Sequence, residues 1–159
     1  MMRKLILFAV CFIPAGVLAQ GLSAMYSFTT YSSQQGNYVD INTAIELQGL
    51  EVKNDNAQVE LTTLICEVND TKNVLYLDKR DLNAKKSSEE DKGQMLDIQR
   101  VKLNNGTYLL YMSFKDKNSP AEAVEIKDVI KMDYRENELA VSDVQIIMPP
   151  KKSTSKTLN

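Results

Sequence analysis

The chain has 159 residues, a formal charge of −2 and a hydrophobic fraction of 43%, which suits one globular domain of ordinary composition. It contains no His and no Trp, so neither a Ser-His-Asp or Cys-His nucleophile nor a His-containing zinc site can be built from it. The acidic balance argues against nucleic-acid binding, which needs clustered Lys and Arg to displace counterions.

Arg3 and Lys4 precede an apolar run over residues 5–13, which Pro14 and Gly16 break. Val17 and Ala19 then stand at −3 and −1 relative to Gln20, so the first nineteen residues read as a secretory signal peptide cut between Ala19 and Gln20. The run is too short to span a bilayer, which takes about 20 apolar residues, and no transmembrane segment is expected after cleavage. Cys11 follows Val10 inside the apolar run and does not make a lipoprotein site. Removing residues 1–19, with their two cations and one of the two Cys, leaves 140 residues at a formal charge of −4. Cys66 is then alone, so no internal disulfide forms and stability must come from an apolar core.

Residues 24–31 are rich in Tyr, Phe and Thr, with Tyr26, Phe28 and Thr30 on one face. Over residues 38–47, Val39, Ile41, Thr43, Ile45 and Leu47 alternate strictly with Tyr38, Asp40, Asn42, Ala44 and Glu46, the clearest period-two signal in the chain. Gly49 closes that strand, and Lys53-Asn54-Asp55-Asn56 is a turn. Residues 59–68 carry Val59, Leu61, Thr63 and Ile65 on one side and Leu64, Cys66 and Val68 on the other, which predicts a strand apolar on both faces or bulged. Asn69-Asp70-Thr71 turns into a hairpin partner over residues 73–79, and the polar residues 83–94 read as a mobile surface loop. Residues 96–103 form a strand, Asn104-Asn105-Gly106 a tight turn, and residues 107–115 the strongest strand of all. After a turn over residues 116–120, residues 123–134 fit a strand or a helix, and residues 139–148 read as the last strand.

About seven to nine short strands without a convincing helix predict an all-β fold, an antiparallel, immunoglobulin-like β-sandwich. The expected organisation is a signal peptide over residues 1–19, the sandwich over residues 20–148, and a disordered tail or linker over residues 149–159. No internal repeat is present.

Gly106 and Tyr108, a turn glycine and a tyrosine at the start of a late strand, sit where sandwich domains place a tyrosine corner, a structural role. Along the same strand Tyr108, Leu110, Met112 and Phe114 share one face and Leu109 and Tyr111 the other. If the first face is core, Leu109 and Tyr111 either pack under a loop or form an exposed docking face. Tyr31, Tyr38 and Tyr76 are candidates for outward rings on which a glycan would stack. Cys66 lies among Leu64, Ile65 and Val68, reads as a small buried hydrophobe and has no base to activate it. Glu89, Glu90 and Asp91 lack the alternating spacing of a calcium loop and read as solvated. The sequons at Asn69 and Asn105 lie in turns, where these residue types occur anyway. No cofactor and no metal are expected.

Several segments together resemble a family. Tyr26-Ser27-Phe28-Thr29-Thr30-Tyr31, Tyr38-Val39-Asp40-Ile41 and Val59-Glu60-Leu61-Thr62-Thr63-Leu64-Ile65 are similar to the N-terminal β-sandwich module of the GWxTD-domain-containing proteins of Bacteroidetes-type bacteria. So are Val74-Leu75-Tyr76-Leu77-Asp78-Lys79, Leu96-Asp97-Ile98-Gln99-Arg100 with Gly106-Thr107-Tyr108, and Leu139-Ala140-Val141-Ser142-Asp143-Val144-Gln145. The Gly-Trp-x-Thr-Asp motif itself is absent, and no catalytic residue is carried over. The resemblance implies an envelope protein of non-enzymatic character, periplasmic, outer-membrane-associated or extracellular. The expected partners are another envelope protein or downstream domains of the same chain, met through the Leu109 and Tyr111 face or an exposed edge strand. The alternatives are a carbohydrate-binding or adhesive module using the three tyrosines, and a small carboxylate-dependent hydrolase resting on acidic residues alone.

Overall fold

The computed structural model describes residues 21–86 and 92–134. Among the described residues seven strands run in chain order: β1 (Ala24–Ser33), β2 (Gly36–Glu46), β3 (Asn56–Glu67), β4 (Asp70–Lys85), β5 (Gln94–Lys102), β6 (Gly106–Asp116) and β7 (Val124–Met132). All pairings are antiparallel, in a three-stranded sheet of order β1-β2-β5 and a four-stranded sheet of order β4-β3-β6-β7. This is an immunoglobulin-like sandwich in which β4 pairs with β3. In the constant-type arrangement the fourth strand pairs with the fifth instead.

Strict alternation on the central strands builds the core. Val39, Ile41 and Ile45 of β2 meet Val59, Leu61 and Ile65 of β3 and Leu110, Met112 and Phe114 of β6, all with no solvent exposure. Cys66 is buried and free, on the opposite side of β3 from Ile65, and lies outside that cluster. The β3–β4 register shifts on both sides of Cys66 because β4 carries the extra residues there, so β3 is two-faced and the bulge lies in β4. The segment that periodicity leaves open between strand and helix is the strand β7, because it pairs along its length with β6 and buries Ile130 and Met132.

Two local chemistries set the turns. Lys53 and Asn56 exchange N–H···O bonds of 3.0 and 3.1 Å around Asn54 and Asp55, at φ 53° and 57°. Left-handed backbone at both central positions is what a type I′ loop requires, and Asn and Asp tolerate it best among side-chain-bearing residues. Before β6, the Tyr108 hydroxyl donates to the Asn104 carbonyl at 2.8 Å. A Cβ on Gly106 would lie 2.9 Å from that hydroxyl oxygen, so only glycine leaves room for the ring. Asn105 accepts from the Tyr134 N–H at 3.1 Å and from Asn37 Nδ2 at 2.9 Å, which places this sequon asparagine in a structural clamp.

The expected loop over residues 83–94 is corrected at its start. Residues 83–85 belong to β4, paired with the first residues of β3, and Lys86 is buried with its Nζ donating to the Leu50 carbonyl at 2.8 Å. Backbone pairing needs no apolar side chains at a sheet edge, so polarity alone misreads this stretch. Residues 87–91, with Glu89, Glu90 and Asp91, lie outside the described residues, as do the cleavage position at Ala19 and Gln20, the expected strand over residues 139–148 and the tail over residues 149–159.

Side chains close both seams of the sandwich. On one side the Tyr26 hydroxyl donates to Asp128 and Thr30 shares a hydrogen bond with Tyr134, each at 2.8 Å. On the other the Tyr76 hydroxyl donates to Gln99 at 3.3 Å and Arg80 Nη1 to Asp97 at 3.1 Å.

Two predictions follow from these bonds. Tyr108→Phe leaves the Asn104 carbonyl without its donor and lowers the unfolding free energy by about 1 kcal/mol in urea titration. The hydrogen bond to Asp128 raises the Tyr26 pKa above its ordinary value, and burial raises those of Tyr76 and Tyr108. A raised folded pKa keeps stability intact below pH 10 and removes it as the pH climbs through the folded pKa. Tyrosinate absorbance of the folded protein is therefore expected to appear at higher pH than in the urea-unfolded chain, with stability falling over that interval.

Candidate docking face

The three-stranded sheet presents its outer face in rows, because the register aligns one residue from each strand. Met25, Ala44 and Leu96 form one row, Ser27, Asn42 and Ile98 the next, then Thr29, Asp40 and Arg100, then Tyr31, Tyr38 and Lys102. The phase of β5 decides which of its side chains join them. Met95, Gln99 and Val101 are buried, as is Leu103 just beyond the strand, and with a period of two Leu96, Ile98, Arg100 and Lys102 must point outward. Leu96 is 72% exposed, Ile98 67% and Met25 54%, the three largest exposures of apolar side chains on this sheet.

The same phase turns Asp97 and Gln99 toward the interior, where they need partners. Gln99 Nε2 donates to Asp97 at 2.9 Å. Arg80 reaches across from β4 to bond both Asp97, at 3.1 Å, and Asp78, at 2.5 Å. The hydrogen bond that Arg80 donates to Asp78 raises the Arg80 pKa above its ordinary value, so the guanidinium stays charged between the two carboxylates.

The outer face divides into two halves. In the apolar half, Met25, Asn42, Ala44, Leu96 and Ile98 line a shallow depression of about 260 Å³. The Asn42 Nδ2 is buried there without a hydrogen-bond partner. The Thr43 and Thr63 hydroxyls are also buried unpaired, on the inward faces of β2 and β3. In the other half Tyr31 and Tyr38 stack with ring centroids 5.0 Å apart and planes at 22°. The Arg100 guanidinium lies 4.5 Å from the Tyr38 centroid and grips the buried Asp40 with two bonds of 2.7 Å. Those bonds raise its pKa, so this charge is permanent.

The structure therefore separates the three tyrosines. Tyr31 and Tyr38 share this face, whereas Tyr76 is half-buried at the seam, packed against the core with its hydroxyl on Gln99. Tyr76 does not offer an outward ring, because its side of β4 faces inward. Leu109 and Tyr111 lie on the outer face of the four-stranded sheet, both half-buried. Leu64 and Lys127 flank Tyr111 in register, and Cys66 and Val129 flank Leu109. Lys127 sits 5.6 Å from the Tyr111 centroid, and a hydrogen bond with Glu125 raises that tyrosine's pKa. Exposed Leu77 and Val74 on β4 and Val129 on β7 continue these two rows, with Lys127 as the charged neighbour. On the three-stranded sheet the exposed apolar residues that stand in adjoining rows are Met25, Leu96 and Ile98, which sequence reasoning did not single out. The signal was the shared parity of Met95, Val101 and Leu103.

Among the described residues no helix is long and apolar enough to cross a membrane, and no three His, Cys, Asp or Glu side chains are grouped to hold a metal ion. No family model matches the chain, and no curated protein matches it.

An unpaired buried amide costs stability that an apolar side chain of similar shape does not. Asn42→Val is expected to raise the unfolding free energy by about 1 kcal/mol, read by urea titration.

Proposed function

We propose that this chain is an exported, non-catalytic β-sandwich that acts by docking onto another protein of the bacterial envelope. The observation that carries the reading is the exposure of Leu96 and Ile98 beside Met25. Isolated surface leucines are ordinary, but exposed apolar side chains standing together in adjoining rows of a sheet face mark an interaction site. The N-terminal basic and apolar pattern supports export. The similarity of the quoted segments to the GWxTD-domain-containing proteins supports an envelope location and a non-enzymatic role. The absence of His from the chain supports the same role.

A glycan-binding reading rests on the stacked Tyr31 and Tyr38 beside Arg100, and no longer includes Tyr76. It requires chemical-shift changes at Tyr31 and Tyr38 on adding peptidoglycan fragments. Their absence removes it.

The docking reading is tested in the native host with a photo-crosslinking residue at Met25. A discrete cross-linked protein is expected, lost when Leu96→Asp and Ile98→Asp are combined and kept in Val129→Asp on the opposite sheet. Both changes on β5 are at exposed sites, so stability should move by less than about 0.5 kcal/mol. Equal cross-linking in the double variant would discard this face.

A further inference from the structure

The β2–β5 ladder has a definite phase. Leu47 N–H donates to the Gly93 carbonyl at 2.9 Å and Leu103 N–H to the Asn37 carbonyl at 3.1 Å. Both pairs continue the β2–β5 register, and hydrogen-bonded pairs alternate with non-bonded ones along an antiparallel ladder. Met95, Asp97, Gln99 and Val101 therefore direct their backbone groups at β2. Leu96, Ile98 and Arg100 direct their N–H and C=O groups at the other side of β5, which is an edge of its sheet. Arg80 and Tyr76 hold that seam through side chains alone and leave these backbone groups unpaired by β4. On β5 the residues with open backbone groups are thus the same ones whose side chains form the apolar face.

Other edges are less receptive. β4 exposes Val74, Leu75 and Leu77 but is bulged beside them and carries Lys72, Lys79 and Asp81, and β7 sets Glu125, Lys127 and Lys131 around its exposed Val129. Charges and bulges of this kind discourage strand addition. β1 offers only Met25 as an exposed apolar side chain. Asp97, the one acid of β5, is neutralised by Arg80.

Resting on the docking reading above, we propose that the β5 edge receives an extended segment of the partner by antiparallel strand addition. Partner residues opposite Leu96 and Ile98 would exchange backbone bonds with them and lay their side chains on the outer face beside them, which selects apolar residues at alternate positions. The position opposite Arg100 comes two residues earlier in the partner's chain. Arg100 uses Nε and Nη2 on Asp40, so Nη1 is left for a further acceptor, and Lys102 stands in the next row. The recognised segment therefore reads acidic–x–apolar–x–apolar from its N-terminus.

The test is an NMR titration of the ¹⁵N-labelled protein with the blocked peptide Gly-Thr-Glu-Thr-Val-Thr-Val-Thr-Gly. Binding is expected to shift the amides of Leu96, Ile98 and Arg100 and to slow exchange of the Ile98 amide. Leu96→Lys should weaken it by about tenfold or more, and so should N-methylation of the two valines. Equal binding of the N-methylated peptide overturns edge pairing, as does the absence of shifts up to millimolar peptide or shifts confined to β1 or β6. A concentration-dependent dimer that perturbs the same amides without peptide makes the occupant a second copy and overturns the proposal too. The native-host cross-link at Met25 is independent of these arms. Its persistence without peptide binding discards strand addition alone, and loss of both discards the docking reading.

Discussion

The register between β2 and β5 is the constraint from which the rest follows. A sheet has a side-chain period of two, so one choice of register settles both faces of a strand at once. As the chain folds, Met95, Val101 and Leu103 bury against the cluster around Val39, Ile41 and Ile45. A slip of one residue would bring Leu96 and Ile98 inside, and would expel those three while driving Arg100 and Lys102 into the core. Burial of one such apolar side chain is worth roughly 2 kcal/mol, and an uncompensated buried charge costs several. The slipped register loses on both counts, so exposure of Leu96 and Ile98 is the lower-energy outcome.

That choice forces a second one. Asp97 and Gln99 turn inward and must be satisfied, and the groups that satisfy them come from β4 through Arg80 and Tyr76. The opposite seam is tied in the same manner through Tyr26, Asp128, Thr30 and Tyr134. A sandwich joined by side chains differs from a barrel joined by backbone. Its sheets are held together while the strand edge of β5 keeps its own donors and acceptors. The polar network thus explains why the fold is closed and why that edge stays open.

Much of this was legible in the residues. The alternation over residues 38–47 assigns β2 and its two faces, including Tyr38 outward and Val39 inward, and the parity of Tyr108, Leu110, Met112 and Phe114 assigns β6. Residues 123–134 could not be assigned by periodicity, because Val124, Ile126, Val129 and Ile130 suit either spacing and only pairing with β6 decides. Asn83 and Lys85 are polar because an edge strand can be, with Ala84 between them packed on the core, and hydropathy carries no record of backbone pairing. The candidate site was harder to see. Leu96-Asp97-Ile98-Gln99 alternates cleanly, yet its apolar pair is the exposed one, and that becomes clear only when Met95, Val101 and Leu103 are weighed against it. The side of Tyr76 was hidden for a related reason, since the β3–β4 bulge at Cys66 shifts the register beside it.

Two departures from ordinary sheet design meet on the outer face of the three-stranded sheet. A sequence specifies a fold when its local and global preferences agree, and violations tend to collect where function is exacted. The outer face of the four-stranded sheet pairs Lys79 with Glu60 at 2.9 Å and sets Lys127 over Tyr111, and its exposed Leu77, Val74 and Val129 stand on the edge strands β4 and β7. On the outer face of the three-stranded sheet Met25, Leu96 and Ile98 are exposed in adjoining rows, and beside them lies the unpaired buried amide nitrogen of Asn42. The first departure follows from the β5 register, but the second does not, because nothing in the packing of β2 requires an amide at that position. A side chain that weakens the isolated domain and sits in the floor of an apolar depression is better explained by what that depression receives than by the fold itself.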